Sequence, residues 1–431
     1  MFINLMKEKD LRKRAFFTLF VLAAASALTQ IPIYGINKIY MQALFEKASV
    51  FTFIDSMSGG SLSNMSVAGF GITSYITASI VIQLMSVVFP KIEKVRRDGE
   101  QGRRLMEKAT CILAVVITLV SGTMLAVSFG KNGLFYNYTP LNVVIAVACW
   151  LAGSIIIVYL GSKVETYGIG NGFTLILGFN ILSRIPYNIQ QYYRSDVEGK
   201  DAFTASVYII GLIAALFFLY LITVYLQAGV LNIPVKQMKK KASAVNTDGC
   251  IPISANIANV LPVIYASSLV TFPSLIIALF GLKIGNTGAE VLSVLNSSNW
   301  YNPSHWYHIL GLLLYIVLIV AFGFFGSSLS FSADEIADGM KKNGNVIPGV
   351  NPGADTVRFL EKRRKVMSVV NVGFLLVIAI VPDFVCSLLG ITTFTFLGTS
   401  LIIIVNMLFD TALRIRAVSL HKDKRFHLFG S

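Results

Sequence analysis

Few side chains in this sequence form a pattern that could carry out chemistry. The glycine-rich stretch Gly168–Gly172 resembles part of a nucleotide-binding loop, but no β-strand pattern precedes it and its spacing differs from a dinucleotide fingerprint. The four histidines are expected outside the hydrocarbon core and do not cluster as metal ligands. The four cysteines have no CxxC or metal-binding spacing, so we expect them to be small apolar packing residues. The sequence therefore predicts no enzyme activity, no metal site and no cofactor.

Carboxylates are missing from the interiors of the apolar segments. Asp334, Glu335, Asp383 and Asp410 all fall at or near segment ends. Pumps and ion-coupled carriers generally need ionisable groups within the membrane. The pattern thus counts against a proton- or sodium-coupled carrier and against a membrane hydrolase, and it favours a pore whose wall binds nothing tightly. A secondary transporter for a small solute remains the alternative.

The composition indicates a membrane protein. Of the 431 residues, 55% are hydrophobic and only 13% are charged, and the mean hydropathy is +0.69. Typical soluble domains contain about 25% charged residues. Too few charges are present to cover a water-soluble surface, which excludes a disordered chain, a disulfide-stapled secreted module and a cytosolic enzyme.

Ten apolar segments approach the length of about 20 residues that a helix needs to cross a bilayer. They are continuously apolar, without the alternation of outer-membrane strands, so helices are favoured over a barrel. The fifth is short and contains Arg184 and Pro186. The predicted spans are 15–33, 69–89, 110–129, 141–161, 172–189, 206–227, 257–280, 306–328, 366–386 and 390–409. We therefore predict an all-α polytopic membrane protein with about ten transmembrane helices.

The distribution of basic residues predicts the orientation. An even number of spans places both termini on one side, and 29 of the 36 lysines and arginines fall on that side. By the positive-inside rule, both termini are expected to be cytoplasmic. The net charge of +14 then mostly reflects orientation, and no direct nucleic-acid function is expected.

Ten spans divide into two five-helix halves, 1–200 and 201–431. An odd number of spans per half would make the halves inverted relative to each other, around a central pore. On the outer side, segment 49–66 is too short to span and too apolar for an exposed loop, and Gly59-Gly60 interrupts it. We expect it to be re-entrant and shielded by protein. The cytoplasmic loops 228–256 and 329–365 are long and basic, and loops of that length are often functional.

Ser58-Gly59-Gly60 and the later run from Gly71 to Ile80 with Gln83-Leu84 begin an ordered set of motifs. This set resembles the SecY family of protein-translocation channels, in which the first motif is similar to the plug and the second is similar to the second helix. The matches extend in order from about residue 10 to 430. The further matching motifs are Glu100–Arg104, Gly168–Gly172, Leu261–Ser268, Ala333–Asn343, Pro348–Gly353 and Gly398–Ser400.

The resemblance implies a channel in a bacterial plasma membrane that exports unfolded preproteins and releases membrane segments sideways into lipid. It implies SecE-like and SecG-like subunits. It also implies that a SecA-type motor ATPase or a ribosome supplies the work, because the family itself is not enzymatic.

The resemblance also assigns roles to individual residues. A pore ring would consist of Ile72, Ile76, Phe173, Leu177, Ile264 and Ile403. Plug residues would be Phe53, Ile54, Met57, Ser58, Gly59, Gly60 and Leu62. Lateral-gate residues would be Thr77, Gln83 and Asn256. Motor or ribosome docking would involve Lys236, Lys341, Lys342, Asn351, Arg358, Arg363 and Arg364.

Spacing is compatible with the pore ring. Ile72 and Ile76, and likewise Phe173 and Leu177, are four residues apart and so share a helix face. A ring of bulky apolar side chains excludes water and ions, yet binds a passing chain only weakly. Ordinary core or lipid-facing positions are the alternative for these residues.

Asn256 is expected at the cytoplasmic start of span seven. Because an amide facing lipid is costly, we expect it to have a partner such as Gln83 or Thr77. The alternative is that Asn256 only caps a helix end.

The cytoplasmic loops depart from the family pattern. Asn351 stands where the family usually has a basic residue, and Val230-Leu231-Asn232 replaces an arginine-containing stretch in a loop with no arginine. Bidentate contacts to carboxylates are lost without arginine. The run Pro352–Thr356 looks closer to accessory SecY paralogues of some Gram-positive bacteria, which leaves the subtype and the motor open.

Overall fold

The protein is described by a computed structural model covering residues 9–41, 55, 58–97, 99–194, 202–237, 249–280, 286–301, 306–388 and 397–428. Helices account for most of these residues. In the first half they are α1 (Lys9–Gln30), α2 (Gly71–Val88), α3 (Pro90–Arg97), α4 (Gly99–Phe129), α5 (Pro140–Tyr167) and α6 (Gly172–Tyr192). In the second half they are α7 (Ala202–Ala228), α8 (Leu261–Phe280), α9 (Asn286–Leu295), α10 (Ile309–Ser330), α11 (Ala333–Lys342), α12 (Ala354–Leu388) and α13 (Leu397–Leu428).

Every predicted span coincides with a helix, although 390–396 lie outside the described residues. Within the described part of the chain, four helical stretches are long and apolar enough to cross a membrane: Arg104–Phe129, Pro140–Tyr167, Ile309–Lys342 and Ala354–Ser387. Shorter apolar helical stretches are Gly71–Ser86, Phe217–Ala228 and Leu261–Ser274. The all-α class is confirmed.

The glycine-rich stretch is a tight corner between two helices. Helix α5 ends before Gly168, and α6 begins after Asn171, whose side chain accepts a hydrogen bond from the Thr174 N–H. A Cβ at Gly172 would overlap the Gly161 carbonyl oxygen of α5. The glycines therefore permit close helix packing, which accounts for the motif without a nucleotide.

A three-stranded sheet joins the two long loops. Strand β1 (Val230–Gln237) pairs antiparallel with β2 (Gly249–Ser254) and with the short β3 (Asn345–Val346), in the order β2-β1-β3. Ile233 and Val235 of β1 are buried while their neighbours are exposed, which is the period-two pattern of a half-buried strand. The sequence analysis had not predicted this sheet.

Three apolar clusters form the core of the described residues. The central cluster contains side chains from α1, α2, α4 to α8, α10, α12 and α13. The outer cluster, on the predicted outer side, packs segment 62–70 against the chain after α1 and against α4 and α5. The loop cluster packs the sheet against α11 and the start of α12.

Candidate pore, plug and gate

The structure places all six predicted ring residues in the central cluster. Five are buried, and Ile76 is partly buried and packs against the cluster. They come from four helices: Ile72 and Ile76 from α2, Phe173 and Leu177 from α6, Ile264 from α8 and Ile403 from α13. The arrangement gathers bulky apolar side chains from both halves of the chain.

An aromatic stack that was not predicted joins two of these helices. The ring of Tyr75 on α2 lies parallel to that of Phe173, with centroids 3.5 Å apart and an interplanar angle of 7°. Gly161 of α5 makes room for Phe173, because a Cβ there would be 2.7 Å from the ring. The available signal was an aromatic residue directly before Ile76, since Tyr75 is the sole aromatic residue of α2.

The described part of the predicted plug is almost entirely buried. Within 58–66 only Asn64 is more than slightly exposed, and the chain makes turns rather than a helix. Gly59 and Gly60 have φ values of 71° and 79°, a conformation that side chains rarely adopt. Leu62 packs in the outer cluster and Ser58 is 1% exposed. Phe53, Ile54 and Met57 lie outside the described residues.

Backbone hydrogen bonds attach the plug to the chain that follows α1. The Ile33 N–H donates to the Met65 carbonyl oxygen at 3.0 Å, and the Val67 N–H donates to the Ile31 carbonyl oxygen at 3.0 Å. The hydroxyl of Ser66 donates to the Ser61 carbonyl oxygen at 3.0 Å, which closes the turn internally. The serines of this segment thus satisfy backbone groups that burial would otherwise leave unpaired.

A buried ion pair also contacts the plug, and sequence reasoning missed it. The Arg184 guanidinium of α6 donates to the Asp55 carboxylate at 2.9 Å. Burial raises the pKa of the Asp55 carboxyl, while Arg184 and Ser63 oppose that rise, so the charged form depends on these two partners. The sequence analysis had treated Arg184 only as an interruption of span five.

The gate residues make contacts different from those expected. The Gln83 amide donates to the Ser79 hydroxyl at 3.0 Å, and the Thr77 hydroxyl donates to the Thr73 carbonyl oxygen of its own helix. The Tyr265 hydroxyl of α8 approaches Gln83 and Ser79 without a well-formed hydrogen bond. A polar contact between α2 and α8 therefore involves Tyr265, which was not predicted.

The expected partner of Asn256 was wrong. Its amide donates to the Asn259 side-chain oxygen at 3.4 Å, and its own oxygen is buried without a hydrogen bond. Asn256 lies in the turn before α8, one residue after the tight contact between the Ala255 N–H and the Gly229 carbonyl oxygen. Asn256 therefore makes its side-chain contact within its own turn and not with Gln83 or Thr77 of α2.

A cavity of about 750 Å³ adjoins this polar contact. It lies between α2, α4 and α10, and Gln83, Ser79 and Tyr75 form part of its wall. Glu107 and Phe325 line it from the other helices. The space next to α2 is therefore open toward α10.

The sheet brings part of the predicted docking set together. Lys236 of β1 pairs in register with Val346 of β3, so a basic residue of the first loop meets the second loop. Lys341 and Lys342 are exposed at the end of α11. The other four lie along the start of α12 and the turn before it: Asn351, Arg358, Arg363 and Arg364.

All four of those side chains make local contacts, and the Arg358 guanidinium lies 4.0 Å from the Asp355 carboxylate. The Asn351 amide donates to the Asp355 carboxylate at 3.3 Å. The Arg363 guanidinium lies 5.1 Å from the Phe359 ring centroid. The Arg364 guanidinium donates to the Ser327 hydroxyl at 3.5 Å, which ties it to α10. The exposed lysines are thus the least constrained charges of the set.

Comparison with known proteins identifies this arrangement. The sequence profile of the SecY family matches residues 66–412. The chain belongs to the SecY family. The protein translocase subunit SecY of Staphylococcus carnosus is 29% identical over 423 residues, which cover 95% of each chain.

Solved structures show the same fold. A structure of a protein-conducting channel has a TM-score of 0.67 at 19% identity, and the match covers 95% of this chain and 93% of the other. A SecY structure that concerns its plug domain has a TM-score of 0.62 at 18% identity, with the same coverage. Sec61 in a canine ribosome–channel complex has a TM-score of 0.66 at 19% identity, again with that coverage.

Family membership decides between the functional alternatives. SecY proteins are non-enzymatic subunits that form a translocation pore, so this chain is a multi-pass membrane channel subunit for polypeptides. It is neither an enzyme nor a secondary transporter for a small solute.

Proposed function

We propose that this SecY-family chain forms a polypeptide channel in a bacterial plasma membrane, with the six-residue ring as its constriction. The observation that carries the proposal is that Ile72, Ile76, Phe173, Leu177, Ile264 and Ile403 come from four helices and join one apolar cluster. Such a ring excludes water when it is empty and offers a passing chain no strong binding partner.

In this proposal, segment 49–66 closes the outer side of the pore. Support comes from the burial of 58–66, from the hydrogen bond that Met65 accepts from the Ile33 N–H, and from the bond that Val67, directly after the segment, donates to Ile31. Displacing a segment this short from the pore requires the loss of a few hydrogen bonds and of its apolar packing in the outer cluster. It can therefore act as a removable plug.

The lateral gate would lie between α2 and α8. The approach of Tyr265 to Gln83 and Ser79 supports this position, since a few polar groups within an apolar helix contact attract each other without locking the contact. The cavity of about 750 Å³ beside Gln83 is lined largely by serines and glutamates, so it adjoins the gate as a polar space, and an apolar segment leaving the pore would pass between α2 and α8. Membrane lipid would receive that segment.

The partners would be SecE-like and SecG-like subunits and either a SecA-type motor or a ribosome. The exposed lysines at the end of α11 and Lys236 of β1 support docking at the joined loops. The family usually has a basic residue at position 351, which would project toward a partner. Here the Asn351 amide contacts Asp355 of the same chain, which supports an accessory subtype with its own motor. The Staphylococcus relatives are consistent with the bacterial plasma membrane.

Crosslinking to a stalled preprotein tests the channel. A photo-crosslinking residue at Leu177 or Ile403 should react with a polypeptide arrested during translocation through the reconstituted complex. Leu408 is the matched control, because it lies on α13 with Ile403 but is 57% exposed on the outside of the bundle. Crosslinking at Leu408 that equals that at Ile403 would contradict the pore assignment.

A further inference from the structure

The plug region and α6 each contain one unexpected charge. Asp55 is the sole charged residue of segment 49–66, and Arg184 is the sole charged residue of the predicted span 172–189. Ionised side chains are expensive to bury unless they are paired and hydrogen-bonded. These two, 129 positions apart in the chain, contact each other.

Both oxygens of the Asp55 carboxylate are occupied. One accepts from Arg184 at 2.9 Å, and the other accepts from the Ser63 N–H at 2.8 Å. The Asp55 carbonyl oxygen accepts from the Gly60 N–H at 2.8 Å and from the Ser58 hydroxyl at 3.0 Å. Asp55 thus organises the plug turn and at the same time attaches it to α6.

The surface of α6 is shaped to receive that turn. Asn180 and Arg184 are four residues apart, so they share a helix face. A Cβ at Gly60 would overlap the Arg184 guanidinium, and one at Gly59 would lie 3.0 Å from the Asn180 Cβ. The guanidinium also lies 4.1 Å from the Tyr187 ring centroid, which orients it toward the plug. The two glycines are therefore required by contact with α6 as well as by their backbone angles.

We propose that the Asp55–Arg184 pair is a latch that holds the plug against α6 in the closed channel. This inference rests on the proposed plugging role of segment 49–66. The Asp55 side chain is 4% exposed and that of Arg184 is 18% exposed, so their attraction acts in a largely dry site. Loss of either partner would leave the other charge buried without compensation.

The attraction between Asp55 and Arg184 is strong while their site is dry and weak once water reaches both charges. Exposed ion pairs contribute little because water solvates each charge separately. Once a passing polypeptide brings water into the outer side of the pore, both charges can be hydrated and the plug can leave. The same pair therefore opposes spontaneous opening but adds little resistance during translocation.

Resting conductance of the full reconstituted complex in planar bilayers tests the latch. Asp55→Asn and Arg184→Gln should each raise the resting open probability about tenfold, which is a conservative value for an uncompensated buried charge. The double variant should leak no more than the leakier single variant, because the two residues act as one unit. Arg184→Lys retains a charge and should leak less than Arg184→Gln.

Two controls separate the possible failures. Arg194→Gln removes an exposed arginine just beyond the end of α6 and should leave conductance unchanged. Deletion of Phe53–Leu62 should leak, since it removes the plug itself. A leaky deletion together with tight Asp55→Asn and Arg184→Gln channels would overturn the latch alone. A deletion that remains tight would overturn the plug and the latch together.

Discussion

At the scale of single residues, Ile76 and Ile264 make the pore ring testable. Replacing both with Asn puts amides where the ring should exclude water, so the closed constriction should become hydrated. We expect resting ion conductance in bilayers to rise at least about tenfold, equivalent to about 1.4 kcal/mol in the balance between dry and wet states. Both residues are in the central cluster, so insertion and folding need to be checked by thermal unfolding.

Matched substitutions on the outside of the same helices control for general loosening. Val81 of α2 is 36% exposed and Leu269 of α8 is 46% exposed, and their replacement by Asn introduces the same polar groups away from the ring. Equal conductance increases in this control would show that Ile76 and Ile264 do not line the constriction.

The sequence could indicate which residues are buried, but it could not indicate which side chains contact each other. The gathering of the six proposed ring residues in one apolar cluster could be predicted, because helical spacing and family resemblance place apolar residues on defined faces. The contacts of Asn256 and Arg184 could not, because a side-chain partner depends on which chain segments fold together. A lone charge in each of two apolar segments was the available signal for Asp55 and Arg184.

At the scale of elements, α11 ends in two exposed lysines that suit an acidic patch on a motor. Lys341→Glu combined with Lys342→Glu should weaken motor binding about tenfold at low salt, or about 1.4 kcal/mol, since exposed charges act mainly on association. The difference from the unaltered protein should shrink as ionic strength rises. Binding of a SecA-type motor to the reconstituted complex, measured over a salt series, checks both statements.

A second basic pair provides the control for that experiment. Lys91 and Lys94 are exposed on α3, which is also predicted to be cytoplasmic. The lysines of α11 also face the negative end of their helix dipole, so they could serve only stability and orientation. Equal losses of binding from Lys91→Glu with Lys94→Glu would favour that alternative.

The helices were predictable and the sheet was not, for a physical reason. A membrane helix satisfies its backbone internally and shows itself as one long apolar run. Strand β1 depends on partners in β2 and β3, and β3 contributes only Asn345 and Val346 from more than 100 residues away. Its alternating burial was visible in Ile233 and Val235, but Pro234 between them weakened the strand signal.

At the scale of the whole molecule, the orientation can be tested by labelling. In a cysteine-free background, single cysteines at Lys131 and Asn286 should react with an impermeant thiol reagent added outside intact cells. Cysteines at Gly99 and Lys341 should react only after the membrane is permeabilised. Charge asymmetry sets this expectation, because 29 of 36 basic residues share one predicted side. The reverse labelling pattern would show that the termini face outward.

The plug contacts have an asymmetry that bears on how the channel opens. Among the described residues, segment 58–66 accepts hydrogen bonds from Ile33 and Arg184, lies against Asn180 and packs in the outer cluster, and these partners all belong to the predicted half 1–200. The contacts that position the plug and the ion pair that holds it closed are therefore both made with the first half of the protein. If the two halves separate, the first gap forms between the plug and the opposite half, so ions would pass along one flank of the seal before the plug itself moves.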